Sequence, residues 1–247
     1  MSEDRRSASL SGAGKLSGGD YARVSISGAG KITGDLKAEE LRISGAGKVE
    51  GNVEATQVSV SGGASFAGSV LADEMSVSGA ARIGGDAKVK ELKCSGTFRV
   101  TGSVAAEYVK VSGHIHVGGD LEAEIFKASG GFTIEGLLSA DKVEVRLGGK
   151  CSAREIGGEK IEILRGGFRE RGILLDGLVR MFSGSGTAEL KASSIEGDDV
   201  EIEETTADAV RGKRIKLGPG CRIGTVEYSE TIEVHAGAKV DKQTKTE

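Results

Sequence analysis

A dipeptide, Ser-Gly, returns through the first half of the sequence at a nearly constant interval. Eight copies follow one another, the first two 16 residues apart and the later ones 17 apart, at 11–12, 27–28, 44–45, 61–62, 78–79, 95–96, 112–113 and 129–130. A short unit repeated at a fixed period is typical of stacked-repeat proteins, because each copy buries its apolar side chains against the next. This period constrains the fold more than any local motif does.

Within one unit, apolar residues alternate with polar ones. In residues 27–43, SGAGKITGDLKAEELRI, counted with the serine as position 1, positions 6, 10, 15 and 17 are apolar, position 8 is glycine and position 12 is small. A spacing of two indicates strands with one buried face, and no run of ten residues has helical spacing. The sequence therefore predicts an all-β protein, a β-solenoid with about 17 residues in each turn and about fourteen turns about 4.8 Å apart.

Composition agrees with a narrow coil. The chain has 40 glycines in 247 residues and no tryptophan, which suits corners where backbone approaches backbone and an interior filled by aliphatic side chains. A net charge of −4 gives no general attraction to nucleic acid. The three cysteines are far apart and form no CxxC pair, and neither a signal peptide nor a membrane-spanning stretch is visible, so we expect reduced, buried thiols and a cytoplasmic location.

The regularity of the repeat divides the chain into four parts. Residues 1–8 and 241–247 are polar and charged, and we predict them to be disordered tails. Residues 9–145 are predicted as a regular β-helix of 17-residue turns, and 146–240 as a less regular continuation or a second β-helix segment. In that second part, extra residues such as Arg169–Arg171 and Glu196–Asp199 are predicted to form loops at one corner.

Residues able to carry catalysis are sparse. His114 and His116 lie on one side of a predicted strand, but the sequence offers no third ligand at a spacing that zinc requires. The carboxylates are spread along the outward positions, and no HExxH, GxSxG or Walker A motif is present. The sequence predicts no enzyme activity, no metal site and no cofactor.

Two outward positions of the repeat collect basic side chains. Position 5 holds Lys31, Lys48, Arg82 and Arg99, followed by His116, and position 16 holds Arg42, Lys93, Lys110 and Lys127. These columns are either an ordinary solvated surface neutralised by neighbouring carboxylates, or a surface for a polyanion or an anionic membrane.

A solenoid also has two ends, and the sequence contains no terminal helix or polar plug to cover them. Uncovered strand edges pair readily with other copies, so we expect assembly end to end. Candidate contact residues are Leu10 and Leu16 at the N-terminal tip, and Ile232, Val234 and Val240 at the C-terminal tip.

The repeat, Ser-Gly-x-x-x-apolar-x-Gly-x-apolar-x-Ala, and the closing His235-Ala-Gly-Ala-Lys-Val240 together resemble the bactofilins over about residues 9–240. The resemblance implies a right-handed triangular β-helix and a cytoplasmic scaffold, peripheral at the inner face of the membrane, that polymerises without nucleotide. Its partners would be other copies of itself and membrane or cell-envelope proteins. It supplies no catalytic residue. The alternative is a monomeric binding module that presents its polar and basic columns to a polysaccharide, an anionic lipid or a protein.

Overall fold

The computed structural model describes residues 6–166 and 188–246, and within these ranges every regular element is a β-strand. The nineteen strands are β1 (Ser7–Leu10), β2 (Gly14–Ile26), β3 (Ala29–Ile43), β4 (Ala46–Val49), β5 (Val53–Val60), β6 (Gly63–Phe66), β7 (Val70–Val77), β8 (Ala80–Ile83), β9 (Ala87–Cys94), β10 (Thr97–Val100), β11 (Val104–Val111), β12 (His114–Val117), β13 (Leu121–Ala128), β14 (Gly131–Leu147), β15 (Lys150–Arg165), β16 (Glu189–Ile202), β17 (Thr205–Leu217), β18 (Arg222–Val234) and β19 (Lys239–Lys245).

Each strand pairs in parallel with the strand one turn further along the chain. In the regular part the paired residues are 17 apart, as in Ile43 with Val60 and Val60 with Val77. Parallel pairing at this offset winds the chain into a β-solenoid of about 13 turns, which confirms the predicted fold class and period. The handedness and the triangular cross-section stay predictions.

The second half continues the same parallel ladder with variable turn lengths. Phe132 pairs with Cys151, 19 residues on, whereas Ile202 pairs with Leu217, only 15 on. Between β15 and β16 the offset is 39, as in Ile163 with Ile202, because residues 167–187 intervene between two strands that pair directly. The division of the chain at residues 145 and 146 stays a prediction.

One of the two predicted corner loops is wrong. Glu196–Asp199 lies inside β16, where Glu196 pairs with Gly157 and Asp199 with Lys160. The acidic side chain of Asp199 points outward and accepts two hydrogen bonds from Arg214 of the following turn, at 2.5 and 2.7 Å, so a charged strand segment is stable there. The other predicted loop, Arg169–Arg171, lies outside the described residues.

Both predicted tails are also wrong in part. Ser7–Leu10 forms β1 and pairs with Arg23–Ile26, and Lys239–Lys245 forms β19 and pairs with Arg222–Tyr228. Backbone hydrogen bonds to a neighbouring turn do not need apolar side chains, so polar segments can extend the ladder. Polar composition alone was therefore not sufficient evidence that Ser7–Leu10 and Lys239–Lys245 are disordered.

The core consists of side chains stacked in columns along the solenoid axis. The five predicted columns, at positions 6, 10, 12, 15 and 17 of residues 27–145, are buried, with Ala106 only partly so. A sixth column, at position 4, is buried as well and changes from glycine and alanine to larger residues along the chain: Gly30, Gly47, Ala64, Ala81, Phe98, Ile115 and Phe132. Phe132 packs edge-on against Phe126, with ring centroids 5.4 Å apart.

Glycine at position 2 permits the tightest contact between turns. A Cβ on Gly96 would overlap the backbone carbonyl oxygen of Gly79, and the same overlap recurs at Gly62 and Gly113. None of the position 2 glycines of turns 27–145 has a positive φ; in these turns only Gly34, at position 8, does, at 85°. Close approach between turns, rather than backbone conformation, therefore requires glycine at position 2. This agrees with the prediction that backbone approaches backbone at the corners.

Candidate functional site

The last turn of the solenoid exposes the C-terminal ends of three core columns. Ile232 and Val234 lie in β18 and pair with Ile215 and Leu217 on one side only. No strand of the described residues pairs with the other side of this segment. Val234 is 40% exposed, and Ile232 and Val240 are partly buried against the core. The predicted C-terminal tip residues therefore lie together on one end surface.

The first turn exposes the opposite ends of those columns. Leu10 in β1 pairs with Ile26, and Leu16 in β2 pairs with Ile32, each on one side only within the described chain. Both leucines are only partly buried. Beside them, the Arg6 guanidinium stacks over the Tyr21 ring, 4.9 Å from its centroid. The predicted N-terminal tip residues also share one end surface.

The apolar residues of the two ends occupy matching places. Leu10 begins the column that Val234 ends, since each residue of this column pairs with its counterpart in the next turn. Ala8 and Ile232 likewise begin and end the position 15 column. A second copy placed on either end would meet apolar side chains at the same spacing, beside strand edges that are unpaired within residues 6–166 and 188–246. Parallel strand edges of this kind are suited to pairing with further strands.

The basic column of position 5 lies on the flank and is little neutralised. Glu50 is the carboxylate beside it, 2.7 Å from the Lys31 amine and 4.0 Å from that of Lys48. The hydrogen bond from Lys31 lowers the pKa of Glu50. In residues 6–166 and 188–246, neither Arg82 nor Arg99 lies within ion-pair distance of a carboxylate. The position 16 column differs, because Arg42, Lys93 and Lys127 each pair with a glutamate.

Position 9 forms a polar ladder that the sequence reasoning missed. The side-chain oxygen of each member accepts a hydrogen bond, 2.7–3.1 Å long, from the backbone N–H of the residue one turn on. Its members are Asp35, Asn52, Ser69, Asp86, Ser103 and Asp120. The signal was visible as a short side chain with an oxygen acceptor after the glycine of position 8 in six successive units.

We expect loss of one ladder side chain to destabilise the fold measurably. In Asp86→Ala the N–H of Ser103 loses its acceptor at 2.9 Å, a loss of about 1 kcal/mol that lowers the thermal unfolding midpoint by about 2–4 °C. Asp73→Ala is the matched control, because Asp73 only pairs with the exposed Lys90, and its midpoint stays within about 1 °C. Equal midpoints for the two variants, measured by circular dichroism, contradict a structural role of the ladder.

The histidines and cysteines are not assembled into a reactive site. Burial, with His116 and Arg99 nearby, lowers the pKa of His114. Among the described residues, no three His, Cys, Asp or Glu side chains are grouped so that they could hold a metal ion. All three cysteines are free and buried, and burial raises the pKa of the Cys94 and Cys151 thiols to about 11. Such thiols are weak nucleophiles at neutral pH.

The chain matches a known protein family over part of its length. Residues 7–88, which run from β1 into β9, match the family model for Bactofilin, described as polymer-forming cytoskeletal. This part of the chain is similar to a bactofilin domain. The resemblance seen in the sequence is confirmed there, and the matched region contains the N-terminal tip, most of the basic column and four of the six members of the polar ladder.

Two relatives come from Bacillus subtilis (strain 168), and both are described as uncharacterized proteins. YhbF is 46% identical over 56 residues, which is 23% of this chain and 24% of YhbF. YhbE is 36% identical over 108 residues, 43% of this chain and 42% of YhbE. The matched regions thus span less than half of either relative. No solved structure matches the chain significantly. In the described part of the chain, no helix is long and apolar enough to cross a membrane.

Proposed function

We propose that the protein is a cytoskeletal scaffold that assembles end to end into filaments without nucleotide. The observation that carries the proposal is the pair of matching end surfaces. There the columns from Leu10 to Val234 and from Ala8 to Ile232 finish partly exposed, beside strand edges that pair with no other strand of the described residues. The description of the matching family as polymer-forming cytoskeletal supports the same function.

An end turn of the solenoid lacks one of the two neighbours that an interior turn has. A buried interior turn satisfies its backbone N–H and C=O groups from two neighbours, whereas an end turn has one. A second molecule that stacks on the end supplies the missing neighbour and buries Val234 and Leu10 together. A contact between two different ends leaves a free end on each molecule, so it repeats and gives an open filament.

Nucleotide has no part in this assembly. The contact uses only backbone groups and aliphatic side chains, and the sequence has no Walker A motif. We infer a cytoplasmic location, which suits three free, buried cysteines in a reducing compartment. Association with the inner face of the membrane or with cell-envelope proteins stays a prediction.

The test is electron microscopy and sedimentation of the purified full chain at physiological salt, with and without prior removal of nucleotide by apyrase. We expect filaments in both preparations. Discrete rods about 60 Å long, the length of about 13 turns, contradict the proposal if they persist at high protein concentration. Such rods would instead support the monomeric binding module.

A further inference from the structure

One flank of the first six turns has an unusual outward surface. The short strands of these turns, including β4, β6, β8 and β10, place very small residues at position 3 and mostly basic residues at position 5. Together they line a groove of about 920 Å³, here named the alanine–lysine groove. Its floor is Ala13, Ala29, Ala46, Gly63, Ala80 and Thr97, and its wall is Lys15, Lys31, Lys48, Ser65, Arg82 and Arg99.

Strict register makes the groove straight. Ala46, Gly63 and Ala80 are paired in successive turns, and Arg82 is paired with Arg99 in the same way. Six turns about 4.8 Å apart give a length of about 24 Å. The floor residues are exposed although their neighbours at position 4 are buried, so the floor is a strip of methyl groups and backbone open to solvent.

The wall carries uncompensated positive charge in a chain whose net charge is −4. Five of its six residues are lysine or arginine, and Glu50 is the carboxylate that faces them, held by Lys31 and Lys48. Like charges on adjacent strands repel one another mildly, and Arg82 and Arg99 have no carboxylate at ion-pair distance among the described residues. A partner with a row of negative charges would relieve that repulsion.

We propose that the alanine–lysine groove binds an amphipathic α-helix of a partner protein that carries an acidic stripe beside a small apolar stripe. A floor without large side chains lets a helix approach closely. One helical turn rises about 5.4 Å, close to the spacing of about 4.8 Å between wall residues, so acidic residues at i, i+3/i+4 and i+7 meet successive cations. A groove of about 24 Å holds about 16 helical residues.

Other anionic partners fit the surface less well. A bilayer surface would meet the tips of the lysines and leave the recessed methyl groups uncovered, because the floor has no large apolar side chain to insert. A hydrophilic polyanion would pair with the wall but bury nothing against the floor. The helix is the partner that uses both strips. The groove lies on a flank, so its binding is separable from assembly at the ends.

Binding is measured with the full chain and a fluorescein-labelled designed helix of about 16 residues, with glutamates at i, i+4 spacing beside an alanine and leucine stripe. We expect a Kd in the micromolar range that weakens by about tenfold in Arg82→Glu/Arg99→Glu. Lys93→Glu/Lys110→Glu is the matched control, since these exposed lysines are also paired in adjacent turns but lie outside the groove, and it leaves the Kd within about twofold.

A second variant separates the helix from other anions. Ala46→Gln/Ala80→Gln fills the floor without changing charge, and we expect it to weaken the helix by about fivefold or more. Sodium polyglutamate without helical structure, and vesicles of phosphatidylcholine and phosphatidylglycerol in equal amounts, are expected to bind more weakly than the helix. The proposal is overturned if the helix does not bind, if the floor variant binds it unchanged, or if polyglutamate or the vesicles bind better. Filament formation is expected to be unchanged in all these variants, so failure here is distinct from failure of end-to-end assembly.

Discussion

Gly96→Ala is expected to destabilise the solenoid by about 2–4 kcal/mol, although it adds one methyl group. The new Cβ would overlap the carbonyl oxygen of Gly79 in the preceding turn, and that oxygen belongs to backbone that cannot move without shifting a turn of the ladder. Thermal unfolding followed by circular dichroism, at a concentration where sedimentation shows single rods, measures the effect. We expect the midpoint to fall by about 4–16 °C.

The control for this prediction is the same substitution at a different glycine. Gly63 lies in the groove floor between Ala46 and Ala80, and a Cβ there would meet no atom within 4 Å. Gly63→Ala should therefore raise stability by about 0.4–1 kcal/mol, because it restricts the unfolded chain without straining the folded one. If Gly96→Ala is as stable as the unaltered chain or more so, the corner contact between turns is looser than described.

Val234→Lys and Val240→Lys are expected to abolish filament formation while leaving the rod folded. Each places a charge on an apolar end that the neighbouring molecule would cover, at a cost of about 3 kcal/mol or more, which weakens association by roughly a hundredfold. Val234 is already 40% exposed, so the monomer tolerates the change. Sedimentation and electron microscopy measure the loss, and circular dichroism checks the fold.

Lys48→Glu serves as the control for the end variants, because Lys48 lies on the flank in β4. It reverses a charge without touching either end, and we expect its filaments to sediment like those of the unaltered chain. Leu10→Lys and Leu16→Lys at the other end should behave like the C-terminal variants. If the end variants polymerise as well as Lys48→Glu does, the end surfaces are not the contacts.

The fold could be predicted because the same pattern of apolar and small residues recurs in successive units. A period of 17 with alternating apolar positions admits few architectures, and one unit such as residues 27–43 predicts the pairing of most others. The column end at Leu10 could be assigned for the same reason, since it precedes Ile26 by one repeat. Val234 was assigned from the alternating apolar pair Ile232 and Val234, because the turns before it differ in length. Reasoning from one repeat to the next succeeds where each turn has the same length.

The remaining features depend on contacts between turns rather than on the pattern within one. Position 4 was missed as a core column because it begins with glycine and alanine. It holds large apolar side chains only from Phe98 onward. The polar ladder was missed because the sequence places the carboxylates together on the outward, solvated positions, whereas Asp86 accepts a hydrogen bond from the N–H of Ser103 in the next turn. The segments Glu196–Asp199 and Lys239–Lys245 were not predicted as strands because they are polar. Their strands are held by backbone hydrogen bonds, which a pattern of apolar side chains does not reveal.

Turns of neighbouring molecules are proposed to stack along one continuous axis. Cryo-electron microscopy of the filament tests this stacking, because it measures the subunit repeat and the direction of the strands. We predict strands perpendicular to the filament axis, spaced about 4.8 Å apart along it, and a subunit repeat of about 60 Å, the length of about 13 turns. Filaments whose strands run along the axis, or whose subunits associate side by side with both end surfaces free, would contradict it.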